Sequence, residues 1–343
     1  MAQARLDELE GARRNVTLAD EFSSGYRAPW WLPGGDLQTL YAYAVRFNAP
    51  VAYRRERWET PDGDFLDIDE VEPDRPSTKF VVLFHGLEGS SQSHYALGLM
   101  AHARRYGWRG AVVHFRGCSG EANRLPRSYH CGDSAEIDWI VRRLKERHPR
   151  SDLYAVGVSL GGNVLLKWLG ESGEAARAIV KRAAAVSAPV DLNAAARVLD
   201  FGYRKIIYTR AFLRSLRKKV LRKISNHRLE IQIPEVLACA TFRAIDELYT
   251  APFHGFASAE DYWSRSSSKP LLKRIEVPTL LLNARNDPFL PERALPLGSE
   301  VSDRVTLEYP ASGGHVGFVS SPFPGSFDWM PRRIVKFFSA CQR

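Results

Sequence analysis

Leu153-Tyr154-Ala155-Val156-Gly157-Val158-Ser159-Leu160-Gly161-Gly162 is the stretch on which the reading of this chain turns. Residues 152–158 form a short, nearly continuous apolar run, the pattern of a strand buried on both faces. Residues 160–169 then take up helical spacing. Between them lies Gly157-Val158-Ser159-Leu160-Gly161, a Gly-x-Ser-x-Gly pattern in the strand-to-helix context it requires. Three fixed positions in five arise often by chance, but rarely between a buried strand and a helix. Ser159 is therefore read as a nucleophile at a sharp, strained turn. The flanking glycines let neighbouring chain approach where a Cβ would clash, and the helix N-terminus behind the serine favours negative charge beside it.

The buried-strand pattern recurs outward from this point. It appears at 79–84, 110–115, more weakly 182–187, then 277–283 and 304–309, with helical patterns at 94–106 and 134–147. This alternation predicts an α/β fold with a mostly parallel central sheet and helices on both faces. Upstream, residues 53–60, an Asp62-Gly63 turn and residues 65–69, alternating apolar with acidic, predict an antiparallel hairpin at a sheet edge. After Pro189 the alternation stops, and 194–223 and 234–248 read as helical. The expected organisation is an N-terminal arm packing on the core (1–50), a core (51–190 and 270–343) and a helical cap insertion (191–269).

Composition narrows the function classes. The 343 residues are 45% apolar and 25% charged, enough to bury a large core and unlike a disordered chain. No run is apolar for long enough to span a bilayer, and the N-terminus lacks the apolar stretch of a signal peptide. Cys118, Cys131, Cys239 and Cys341 are spaced like neither a metal site nor a disulfide framework. A reducing, cytoplasmic setting is expected, with no metal and no cofactor. The net charge is +9, yet residues 204–228 hold ten Lys and Arg and no acid. The rest is near neutral, which does not suggest a nucleic-acid binder.

A serine hydroxyl needs a base, and the strand–serine–helix turn implies the chain order serine, acid, histidine. Of nine histidines only His227, His254 and His315 follow Ser159. His315 lies in Ser312-Gly313-Gly314-His315-Val316-Gly317, a glycine-rich loop after the last strand, and is read as the base; the other two fall in the cap. Asp287, at the tip of the 277–283 strand, is the expected acid that orients the imidazole. Asp191, at the tip of the preceding strand, is its rival, and either could be a turn residue. The oxyanion donors are expected to be the N–H groups of Leu160, by position, and of Leu87, which His85-Gly86 turns into the site. His85 reads as a brace rather than an acid or base.

These residues resemble the YheT-like (ABHD1/ABHD3-type) branch of the α/β-hydrolases. The matching blocks are Pro29-Trp30-Trp31-Leu32, Leu37-Gln38-Thr39, His85-Gly86-Leu87-Glu88-Gly89-Ser90, His114-Phe115-Arg116-Gly117-Cys118-Ser119-Gly120, Asn123-Arg124-Leu125, Tyr129-His130, the serine turn through Asn163, and Gly314-His315. They span nearly the whole chain. Asp36 departs from the pattern, where histidine is expected. The resemblance implies an α/β-hydrolase fold, the triad Ser159, Asp287 and His315, and hydrolysis of small-molecule acyl esters, of short to medium chains or glycerolipids. It also brings acyl transfer to an alcohol into view. Arg116 and Tyr129 are candidates for shaping the pocket.

Two other readings stay in play. An acyltransferase would pass the same acyl-enzyme to an alcohol instead of water. A binding scaffold that has lost catalysis is disfavoured by the intact serine, aspartate and histidine. The basic stretch itself has two readings. Ile206, Leu213, Leu216, Val220 and Ile224 recur mainly at helical spacing, with Arg210, Arg214, Arg217, Lys218, Arg222 and Lys223 between. Such a helix either covers the pocket with its basic side in water, or docks that side on an anionic membrane.

Overall fold

The computed structural model describes residues 25–45, 51–73 and 77–340; the remainder of the predicted arm and Cys341 lie outside them. Helix α1 (Gly35–Ala44) precedes the strands β1 (Arg54–Glu59) and β2 (Phe65–Val71). Next come β3 (Lys79–Phe84), α2 (His94–Arg105), β4 (Arg109–Val113), α3 (Ser134–Arg147), β5 (Asp152–Val158), α4 (Leu160–Ser172) and β6 (Val180–Val186). A helical insertion follows, its main helices being α5 (Leu192–Leu199), α6 (Arg210–His227), α7 (Ile233–Ala238) and α8 (Ala259–Ser266). The chain returns through β7 (Thr279–Leu282), β8 (Val305–Glu308) and α9 (Trp329–Ser339).

The strands form one sheet in the order β1-β2-β4-β3-β5-β6-β7-β8. Only the pairs β1–β2 and β2–β4 are antiparallel. The parallel strands carry almost unbroken apolar side chains because helices cover both faces. One face packs Ile137, Ile140, Leu165 and Trp168 of α3 and α4. The other packs Leu99 and Met100 of α2 with Ile334 and Phe338 of α9. Helix α4 is buried from Leu160 to Gly170 without a break, which explains why its sequence is mostly apolar rather than striped.

The hairpin forms as expected, with β1 at the edge, but the acidic alternation of β2 does not mark a wet face. All seven residues of β2 are buried. Glu70, Asp69 and Asp67 stand opposite Arg54, Arg55 and Arg57 of β1, and each is held by the arginine facing it. A buried carboxylate needs a partner, and the neighbouring strand supplies one at every acidic position.

The cap differs from its sequence reading in where the helices break. The 194–223 pattern ends first at Leu199. Asp200 leaves the helix, and its carboxylate accepts from the backbone N–H of Phe242 at 2.7 Å and Arg243 at 3.0 Å. One π turn (Lys205–Thr209) then leads into α6. The 234–248 pattern breaks after Ala238, and Thr241 caps a new short turn through the N–H of Ala244. Asp200 thereby joins the first break to the residues just after the second, a long-range contact that helical spacing does not report.

Candidate active site

The site gathers at the C-terminal ends of the parallel strands, where α/β sheets place reactive groups. Ser159 caps α4 with φ 53 and ψ −122, a conformation rare for a residue bearing a Cβ. Its N–H is tied to Val186 O at 2.9 Å. A Cβ on Gly161 would lie 2.3 Å from Phe84 O, so only glycine lets the turn sit this close to β3.

His315 Nε2 lies 2.8 Å from Ser159 Oγ. Its Nδ1 lies 2.9 Å from Asp287 Oδ2 and 3.1 Å from Oδ1. A carboxylate can only accept, so Nδ1 carries the proton and Nε2 turns its lone pair to the serine hydroxyl. Asp287 is fully buried and also accepts from Phe289 N at 2.8 Å. The Phe289 ring stacks on the imidazole with centroids 3.9 Å apart. Asp191 does something else: its Oδ1 accepts from Ala194 N at 2.9 Å, capping α5. His254 stays in the cap-to-core contact, with ring nitrogens 2.7 Å from Thr250 O and 2.8 Å from Ser128 O. His227 closes α6.

Beside the serine, a Cβ on Gly86 would come within 3.0 Å of Ser159 Cβ, so the loop carrying Leu87 runs directly against the Ser159 turn. Among the described residues, neither the Leu87 nor the Leu160 N–H has a hydrogen-bond acceptor. Leu160 opens a helix, where the first N–H groups point outward. His85 is buried, and its ring accepts from Phe115 N at 3.1 Å and donates to Gly86 O at 2.7 Å. Burial pushes its pKa down to about 3, so it stays neutral and braces the turn. A cavity of about 300 Å³ opens from Leu87 and Leu160 toward the cap, walled by Leu216, Val220, Ile245 and Tyr249.

Several contributors were not evident as such from their sequence context. Helix α1 holds the histidine loop: Gln38 Oε1 accepts from Gly313 N at 2.8 Å and Thr39 Oγ1 from His315 N at 2.8 Å. Asn286 Oδ1 accepts from Gly314 N at 3.0 Å. The Leu37-Gln38-Thr39 block was the one signal available. Ser187 Oγ accepts from Val316 N at 3.0 Å. Asp36, the departure from the family pattern, accepts from the hydroxyls of Tyr203 at 2.9 Å and Tyr208 at 2.8 Å, which ties the arm to the cap. Arg116 is buried against Asp62, Asp64 and Glu136, so its charge is spent within the fold although it borders the cavity. His114 and Ser91 meet on Asp69, at 2.9 and 2.6 Å. Burial alone would raise the Asp69 pKa, but bonds from Arg55, His114 and Ser91 hold it below the usual carboxylate range.

Comparison with known proteins gives a consistent result. A family model described as the alpha/beta hydrolase fold matches residues 79–322. The chain is 36% identical over 332 residues to the YheT esterase of Escherichia coli (strain K12), covering 94% of this chain and 96% of that one. It is 28% identical over 311 residues to the phospholipase ABHD3 of Mus musculus, covering 88% and 75%. It is 29% identical over 276 residues to a monoacylglycerol lipase of Saccharomyces cerevisiae, covering 77% and 59%. Among solved structures, the Pyrococcus furiosus esterase Pf2001 superposes with a TM-score of 0.54 at 16% identity, covering 86% and 96%. Est1E from Butyrivibrio proteoclasticus gives 0.53 at 14%, covering 84% and 98%. At these identities the structural likeness is one of fold.

Proposed function

The chain belongs to the α/β-hydrolase fold family, in the branch that holds the YheT esterase and the phospholipase ABHD3, and from that premise we propose that it cleaves carboxylic esters through Ser159, His315 and Asp287. The observation that carries the reading is the hydrogen-bonded line from Ser159 Oγ through both nitrogens of His315 to Asp287, with two unpaired amides beside it. Ser159 Oγ attacks the ester carbonyl carbon as its proton passes to His315 Nε2. The Leu87 and Leu160 N–H groups hold the oxygen that becomes negative. Asp287 stays ionised and stabilises the imidazolium. Collapse expels the alcohol with the proton from His315. Water, deprotonated by the same nitrogen, then cleaves the acyl-enzyme to free acid and Ser159. The acyl chain lies in the cavity under the cap, which suits short- to medium-chain esters or glycerolipids. In this reading 191–269 is the cap and 51–190 with 270–343 the core.

The test is labelling by a fluorescent phosphonate together with turnover of esters of graded chain length. Ser159→Ala is expected to remove both in a folded protein, since loss of a triad nucleophile costs roughly 10⁴-fold or more. Labelling that persists in that variant would falsify the assignment. Product analysis with added alcohol separates hydrolysis from acyl transfer.

A second element concerns the membrane. Phe201 and Ile206 in the cap and Leu37 and Tyr43 on α1 are exposed, and Asp36 joins the two elements through Tyr203 and Tyr208. Lys205, Arg210 and Arg214 follow Phe201 closely in the chain. We propose that this face, rather than the whole basic side of α6, docks on anionic lipid. Apolar side chains ringed by cations favour that surface, whereas a second copy would bring like charge against like.

A further inference from the structure

Leu87 is followed by a residue that the reaction scheme does not use. Glu88 has φ 56, in the left-handed region that residues with a Cβ rarely occupy. Its carboxylate is 12% exposed. Oε1 accepts from Tyr129 Oη at 2.8 Å and from Lys219 Nζ at 2.6 Å, and Oε2 accepts from the Ser215 hydroxyl. The Glu88 N–H donates to the same Tyr129 oxygen at 2.9 Å. Tyrosine and glutamate thereby close a ring that fixes the backbone next to Leu87. Ser215 and Lys219 stand one turn apart on α6, so two of the four contacts come from the cap. Lys219, one of the ten Lys and Arg of residues 204–228, thus faces inward.

This placement has an electrostatic consequence. An oxyanion gathers negative charge one residue away from a carboxylate, and like charges repel strongly where water is excluded. Glu88 is tolerable there only while a cation answers it, and Lys219 is that cation. Paired and fixed in advance, the carboxylate orients the loop without opposing the reaction.

We propose that Glu88 is a positioning residue that makes the oxyanion hole depend on the seated cap: Lys219 and Ser215 hold its carboxylate, and the backbone it fixes aims the Leu87 N–H. The proposal rests on the reading of Leu87 as an oxyanion donor. With α6 displaced, the loop loses its anchor and an unpaired negative charge remains beside the hole. Closure of the cap then does more than cover an acyl chain; it completes the group that stabilises the transition state.

The experiment measures kcat and KM on a soluble short-chain p-nitrophenyl ester for Lys219→Met, Lys219→Arg, Glu88→Gln and the double variant Glu88→Gln/Lys219→Met. Lys219→Met is expected to lower kcat about 100-fold with KM little changed, as for loss of an oxyanion donor. Removing the negative charge as well restores kcat to within about 10-fold of wild type, a coupling of the two sites. Lys219→Arg stays within about 5-fold, since it leaves no unanswered carboxylate, and Glu88→Gln serves as the second single variant of the cycle. A contact that merely glued the cap to the core would make the double variant at least as slow as Lys219→Met, and that result overturns the proposal. So does a Lys219→Met effect confined to KM. Where Lys219→Met does not fold, Ser215→Ala decides: kcat falls several-fold, or, unchanged, it overturns the proposal. Loss of phosphonate labelling in Ser159→Ala with kcat indifferent to Lys219 removes this inference and leaves the nucleophile in place; labelling retained in Ser159→Ala removes the underlying reading instead.

Discussion

The turn at Ser159 and helix α6 face each other across one cavity and are held by different means. The turn is fixed by backbone: Ser159 N on Val186 O, Gly161 too close to β3 and Gly157 too close to Gly161 to bear a Cβ, and a helix buried along most of its length. The cap is fixed by the tips of side chains. Lys219 and Ser215 reach Glu88, Lys223 Nζ reaches the carbonyls of Leu125, Pro126 and Arg127, Tyr249 Oη reaches Pro126 O at 2.7 Å, and Tyr262 Oη accepts from Cys131 N at 2.9 Å. Burial pushes the Lys223 pKa down to about 8. The contrast teaches that the Ser159 turn tolerates no change in a few backbone positions, whereas the seating of the helical insertion can be altered one side chain at a time.

The comparison breaks first where a core group is removed. Asp287→Asn is expected to lower kcat by roughly 10³–10⁴-fold, because the amide offers the imidazole the wrong hydrogen-bond partner. Asp191→Asn should stay within about 3-fold, since asparagine caps a helix as well as aspartate does. Steady-state rates on one soluble ester decide, and the reverse ranking would move the acid to the Asp191 strand.

The arm is intermediate. Gln38→Ala leaves the Gly313 N–H without its acceptor and loosens the loop that carries His315. A displacement of this kind lowers kcat by about 10- to 100-fold while KM changes little, read in parallel from turnover and from the rate of phosphonate labelling. A full-rate Gln38→Ala protein would mean that Thr39 and Asn286 hold the loop without Gln38.

The smallest effect on chemistry belongs to the outer cap. Replacing Lys205, Arg210 and Arg214 with Gln is expected to leave soluble-ester turnover within about 2-fold. The same change removes co-sedimentation with anionic vesicles at low salt. Each cation near such a surface contributes roughly 1 kcal/mol, and salt screens it. Wild-type protein that ignores phosphatidylserine vesicles at low salt would show the charge to be a solvated face.

How much could be read from the chain alone follows the distance over which each feature is fixed. Ser159 and His315 were legible because each sits in a local pattern, Gly-x-Ser-x-Gly after a buried run and a glycine-flanked histidine after the last strand. The parallel sheet was legible for the same reason, since short apolar runs separated by helical spacing leave few other arrangements. Which aspartate meets His315 was not fixed locally: Asp191 and Asp287 stand at similar strand tips, and only the assembled sheet gives one to the imidazole and the other to an N-cap. The acids of β2 marked an edge hairpin in the sequence, but their partners, one arginine of β1 against each, came only with the register. In α6, Lys219 and Lys223 look like Arg214 and Arg222 in sequence, yet the first two turn into the core. Spacing along the chain determines periodicity and turn chemistry, because those depend on neighbouring backbone. The partner of a charged side chain depends on what the fold brings alongside it, and that only the tertiary structure decides.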